Sequence, residues 1–144
     1  MTLDEIKAHC TALSMWAHVA TVRPDGMPDV VPVHPCWEGD TLWFMCGTDS
    51  VKARNLGTNA KIALHWQVTE VGDGVEIWGT GAVFTDLETK RRLWDGVFDY
   101  DLNAFAPGGA DNSPGTAFVA VTPQRALFLK TYGMGGVERW KADD

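Results

Sequence analysis

The stretch from Met15 to Cys46, MWAHVATVRPDGMPDVVPVHPCWEGDTLWFMC, decides the fold. Short apolar and β-branched runs, "MWAHVATV", "DVVPVHPCW" and "TLWFMC", are separated by "RPDGMP" and "EGD". Runs of this length and alternation, punctuated by Asp-Gly and Gly-Asp, describe an antiparallel meander. Pro28, Pro32 and Pro35 restrict it further, because a proline cannot donate to a ladder and is confined to edges, strand starts or bulges. The second strand is therefore expected at an edge or interrupted.

Upstream, "TLDE" is a capping box in which Thr2 and Glu5 satisfy each other's end of the first turn. Leu3, Ile6, Cys10 and Leu13 then recur at helical spacing, which predicts a helix of about three turns. Downstream, "AKIALHWQV" and "VEIWGTGAVFT" predict a hairpin through "TEVGDG", and Gly79 and Gly81 mark a bend or a close backbone approach. "DLETKRRLWDGVF" predicts a helix with Asp86 as N-cap and its three cations on a solvated face. "DYDLNAFAPGGADNSPG" is too long for an ordinary turn and reads as functional or mobile. Two strands, "TAFVAVTP" and "RALFLKTYG", lead into a glycine-loosened tail that ends near Trp140. The sum is an α+β protein, mainly β: a six- to seven-stranded antiparallel split β-barrel with short flanking helices. One domain over residues 1–144 is expected from the length.

Composition narrows the function classes. A formal charge of −7 argues against a nucleic-acid or anionic-membrane surface, which would need a basic face. No apolar run approaches the ~20 residues of a membrane span, and the N-terminus lacks the pattern of a signal peptide, so the expectation is a cytoplasmic protein. Cys10, Cys36 and Cys46 cannot all pair, and they form neither CxxC nor CxxH spacings. Reduced, mostly buried thiols and no metal site are expected.

"TDSVKARNLG", Thr48 to Gly57, admits two readings. Asp49 or Ser50 caps a surface helix ending at Gly57, or Ser50, Lys52 and the free N–H groups of a helix start hold an anion after the strand "TLWFMC". Spacing alone favours the cap, and the Asp49 carboxylate would repel an anion. Seven tryptophans exceed ordinary usage and suit a site that walls a planar ligand, although most are expected in the core or at an interface. Trp140 is the exception, having no evident partner within its own tail. His18, His34 and His65 lie on expected strands, where a neutral, hydrogen-bonded histidine is the commoner finding. No HExxH, GxSxG, P-loop or GxGxxG is present. A small barrel with an anion corner and many aromatics, but no acid–base constellation, suits a protein whose cofactor carries the chemistry.

The ordered combination of "ATVRPDGMP", the Val-Pro-Val strand, "LWF", "SVKARNL" and "NAKIAL" resembles the pyridoxamine 5'-phosphate oxidase-like, FMN-binding split-barrel family, most strongly from His18 to Trp66. The resemblance implies a homodimer with FMN in grooves between subunits and a small-molecule substrate. Ser50 and Lys52 match the residues that grip the FMN phosphate. Val31, Pro32 and Val33 match the strand along the isoalloxazine ring, with His34 at its end and a possible proton donor. Met45, Cys46, Gly47 and Thr48 match the end of the next strand, which contacts ring and ribityl chain. Trp66 follows on the next strand, and Trp140 resembles a C-terminal aromatic that approaches the flavin across the dimer in some relatives. Asp29, His34 and Val51 stand where the vitamin B6 oxidase has cations, so pyridoxamine phosphate is not the expected substrate. The expected activity is flavin-dependent oxidoreduction by hydride transfer. The alternatives are a deazaflavin-dependent reductase and a flavin-binding stress or storage protein without turnover.

Overall fold

In a computed structural model, which describes residues 1–66 and 68–143, eight strands form one antiparallel sheet. Gln67, inside the expected strand "AKIALHWQV", and Asp144 lie outside the described residues. The chain runs α1 (Leu3–Leu13), β1 (Ala17–Val22), β2 (Pro28–Val33), β3 (Cys36–Glu38), β4 (Thr41–Gly47), α2 (Val51–Thr58), β5 (Lys61–Trp66), β6 (Gly74–Phe84), α3 (Leu87–Trp94), β7 (Thr116–Lys130) and β8 (Gly136–Lys141). Short 3-10 turns at Leu102–Ala104 and Thr131–Gly133 complete it.

The strand order is β2-β1-β5-β6-β7-β4-β3, with β8 also on β7. Both edges of this path, β2 and β3, come from the same stretch of sequence and are joined only by His34 and Pro35. The sheet curls toward closure and stays open there. The prolines give the reason: Pro32 pairs with His18 of β1 on one side and has no N–H to continue the ladder, and Pro35 breaks the strand before β3. The expected interrupted edge strand is thus the split of the barrel.

Two differences from the sequence expectation have local causes. "TAFVAVTP" and "RALFLKTYG" form one continuous strand, β7, because Pro123 falls at a register shift opposite Gly79, where no ladder donor is required. A side chain at Gly79 would collide with the Thr122 carbonyl, so the expected close approach is real. The tail is no loose end, since Gly136–Lys141 pairs with the second half of β7.

The main core lies inside the curled sheet. Val19, Leu42, Phe44, Leu64, Ile77, Val119 and Val121 are buried there, and α1 adds Ile6 and Cys10 while α2 adds Ala53 and Leu56. The capping box expected at Thr2 and Glu5 is present in full. A buried hydrogen bond from Asn55 Nδ2 to Thr21 Oγ1, 3.0 Å, ties α2 to β1. A second cluster, Trp43, Leu93, Leu102 and Phe118, covers the opposite face of β4 and β7 with α3 and the segment that follows it.

Candidate functional site

A cavity of about 380 Å³ opens at the split. Pro32, Val33 and His34 from the end of β2, Met45 from β4 and Lys52 from α2 line it, and Trp16, Tyr100 and Phe105 wall it. Its position follows from the fold: the cavity lies where the sheet stays open between β2 and the β4–β3 edge.

Ser50 is the N-cap of α2, accepting from Ala53 N–H at 3.3 Å and donating to the Gly47 carbonyl at 2.7 Å. The capped-helix reading therefore describes the local structure, with the helix ending at Thr58 rather than Gly57. Lys52, two residues on, lines the cavity. The first N–H groups of a helix have no intrahelical acceptor, and Lys52 belongs to that first turn, whereas Ser50 and Val51 do not line this cavity. Cation and helix start together fit a phosphate; the Ser50 hydroxyl would have to turn from Gly47 to join them. Burial raises the neighbouring Cys46 thiol, and Ser50 and Lys52 oppose that shift.

The other sequence candidates divide. Pro32, Val33, His34, Met45 and Lys52 come together in the cavity. Val31 points to the core beside Val19, and Cys46 is buried in the same core. Gly47 and Thr48 form the turn beneath α2, where Thr48 N–H donates to Gly115 carbonyl at 2.9 Å. Trp66 is buried and borders a second, smaller cavity with Cys10, His34, Trp37 and Asp99. Trp140 stands opposite Ala126 and packs against its own core, so the expectation that it lacks an intramolecular role is corrected. It borders a different groove, with Trp78, Arg125, Arg139 and Lys141.

His34 sits between the two cavities. Its ring stacks on Tyr100 with centroids 4.3 Å apart, and its Nε2 lies 2.7 Å from Asp99 Oδ1. Burial, with the nearby Cys36 and Asp99, pushes the Tyr100 phenol up to about 12, so it stays neutral across ordinary pH.

Sequence reasoning missed the aromatic wall. Tyr100 and Phe105 belong to the long segment after α3, which is pinned rather than loose. Lys90 Nζ donates to the Ser113 carbonyl at 2.9 Å in a buried setting, Arg91 pairs with Asp111 at 2.7 Å, and Trp94 Nε1 donates to Asn103 Oδ1 at 3.1 Å. The helix "LETKRRLW" is consequently not a simple solvated face: Lys90 is buried, and Arg92 pairs with Glu38. The available signal was the pairing of exposed-type aromatics with a loop rich in Gly, Pro and Asn.

Comparison with known proteins agrees with this architecture. The family model described as pyridoxamine 5'-phosphate oxidase matches residues 5–130. No curated protein matches the chain. Among solved structures, a Clostridium acetobutylicum protein related to general stress protein 26, of the pyridoxinephosphate oxidase family, superposes with a TM-score of 0.80 at 18% identity, covering 99% of this chain and 98% of that one. A pyridoxamine 5'-phosphate oxidase-related, FMN binding protein from Nostoc punctiforme gives 0.69 at 14% identity, covering 99% and 95%. An F-420 reductase gives 0.58 at 24% identity, covering 78% and 88%. At these identities the structures establish the fold alone, and the family model supplies the membership. With a split at β2 and β3 and a match over most of its length, the chain belongs to the pyridoxamine 5'-phosphate oxidase family.

Proposed function

We propose that this chain binds FMN at the barrel split and is an oxidoreductase that passes a hydride between the flavin and a small organic substrate. The observation that carries the reading is the cavity itself, which joins a cation at a helix start to a slot walled by Trp16, Tyr100, Phe105 and Pro32–His34. A phosphate suits the first, and a planar apolar ring suits the second. The FMN binding relative from Nostoc punctiforme and the family match point the same way.

When bound, the flavin supplies hydride transfer. Lys52 and the first turn of α2 anchor its phosphate, and the β2 backbone and Met45 position the ring. Tyr100 and Phe105 exclude water from one side of the slot. No side chain of this chain acts as nucleophile. The Nε2 of His34 is buried against Asp99, so a proton exchanged with a ligand in the slot would leave from the other ring nitrogen.

A homodimer belongs to the same proposal. Val30 and Pro32 of β2 share an outward face with His18 and Ala20 of β1 and with Ala63 and His65 of β5, while Trp16, Met27 and Val30 are more than half exposed. A second copy would cover this apolar strip and close the cavity mouth.

A deazaflavin in place of FMN is the second reading, supported by the similarity to the F-420 reductase and by the basic groove of Arg125, Arg139 and Lys141. The deciding experiment is an absorbance titration of the purified protein with FMN and with deazaflavin, followed by turnover with reduced nicotinamide cofactor and a panel of acceptors. Saturable FMN uptake with turnover supports the enzyme. FMN uptake without turnover makes it a flavin-binding stress or storage protein, and uptake of neither ligand overturns the proposal.

A further inference from the structure

Behind the slot, on the far side of His34, three side chains of different chemistry converge. His34 Nε2, Cys36 Sγ and an Asp99 carboxylate oxygen all lie within 4.8 Å of one another. Cys36 Sγ donates to Asp99 Oδ1 at 3.3 Å. The nearer contact, His34 Nε2 to the same oxygen at 2.7 Å, does not have the direction of a hydrogen bond, and Nε2 is buried with no other partner among the described residues. A buried imidazole nitrogen facing a carboxylate oxygen without a shared proton is costly, and a cation between them removes that cost.

We propose that His34, Cys36 and Asp99 form a site for one thiophilic divalent cation of the zinc class. Imidazole, thiolate and carboxylate are the ligand types such an ion takes, and three protein ligands leave one position for water. Metal–ligand bonds of about 2.0–2.3 Å in a tetrahedron set the ligand atoms roughly 3.3–3.7 Å apart. His34 Nε2 and Cys36 Sγ, within 4.8 Å of each other, therefore have to come to about 3.5 Å, and Asp99 has to recede from His34 by about 0.6 Å. Asp99 is free to do so, because its side chain is 70% exposed on the segment after α3. The cavity of about 190 Å³ lined by Cys10, Thr11, Ser14 and Trp66 adjoins the site and has room for the water.

Binding replaces the S–H bond of Cys36 by a metal–sulfur bond and releases that proton to solvent, so affinity rises with pH. Burial holds the metal-free thiol at about 11, which makes the released proton measurable at neutral pH. Structurally, the ion ties the segment carrying Asp99 and Tyr100 to the two strand ends that flank the split. That couples the aromatic wall of the slot to metal occupancy, and it does not depend on which flavin the slot takes.

The test is a titration of chelator-treated, ligand-free protein with Co²⁺, read by difference absorbance and by proton release, with Zn²⁺ as competitor. The expected result is a thiolate-to-cobalt charge-transfer band and four-coordinate d–d bands saturating at one equivalent, displaced by Zn²⁺. Cys36→Ser abolishes the charge-transfer band, and Asp99→Asn, at a side chain that is 70% exposed, lowers affinity at least about tenfold while circular dichroism stays unchanged. Cys10→Ser retains the band. Absence of a saturable band, its survival in Cys36→Ser, or unaltered affinity in a folded Asp99→Asn protein overturns the proposal.

Discussion

Lys90 Nζ donates to the Ser113 carbonyl at 2.9 Å with both residues buried, and this bond holds the segment that walls the slot against α3. A buried ammonium is tolerated only where its donors are used, so this bond is expected to count for more than a surface ion pair. Lys90→Met keeps the aliphatic stem and removes the charged one of the Ser113 carbonyl's two donors, leaving only Thr116 N–H at 3.1 Å. Urea unfolding should show a loss of about 1–3 kcal/mol. Amide exchange should quicken in residues 100–115 before it does in β7. Uniform exchange across both would mean the bond stabilises the whole sheet and not the segment.

Asn55 and Thr21 form the corresponding tie for α2. Asn55→Ala strands the Thr21 hydroxyl in the core and should cost about 1–3 kcal/mol. Thr21→Val in the same background removes the stranded group, so the double variant should be more stable than the sum of the two single losses predicts. Additive losses would mean that the pair makes no net interaction.

Lys52→Ala should weaken FMN binding by about 1.5–3 kcal/mol, roughly 10- to 150-fold, the scale of a hydrogen bond to a charged group. The wild-type affinity should also fall more steeply with salt than that of the variant. Phe105 is 71% exposed, so Phe105→Ala should leave stability within about 0.5 kcal/mol of wild type while lowering FMN affinity. An unchanged titration in both variants would remove this slot as the flavin site.

Alkaline pH supplies a test of the buried thiol. Burial raises Cys36 from 9.0 to about 11, so the folded protein holds this proton more tightly than the unfolded chain does. The resulting stabilisation is fully present below about pH 9 and is lost as pH rises toward 11. Urea midpoints of metal-free protein across that window should fall for wild type and fall less for Cys36→Ser. Equal slopes would place the thiol in a more solvated setting than this packing implies.

Local chemistry was legible in the sequence and long-range convergence was not. Thr2 with Glu5, Ser50 and Asp86 each cap a helix as their spacing predicts, because a cap is completed within four residues. Pro32 and Pro35 announced the edge at which the sheet stays open, and Gly79 announced the close approach to Thr122. Cys36 and Asp99 are 63 residues apart, and no ligand spacing relates them. Trp16, Tyr100 and Phe105 meet only because the segment after α3 folds back over β4, which depends on buried Lys90, a residue whose type ordinarily signals solvent.

Trp140 tests how far one chain accounts for the site. Opposite Ala126 and against the core, its ring contributes packing, so Trp140→Ala should cost about 1–3 kcal/mol of stability, less than a fully buried tryptophan because the ring is only half-buried. The groove it borders is formed by β6, β7 and β8, whereas Lys52 and Pro32 border the slot at the split. Within one subunit the ring therefore acts on stability alone. FMN affinity measured in the same folded variant then has a definite meaning. Unchanged affinity confines Trp140 to the β7–β8 pairing. A loss beyond the one explained by destabilisation means that the ring reaches a flavin held by a second copy, which sedimentation should then detect as a dimer.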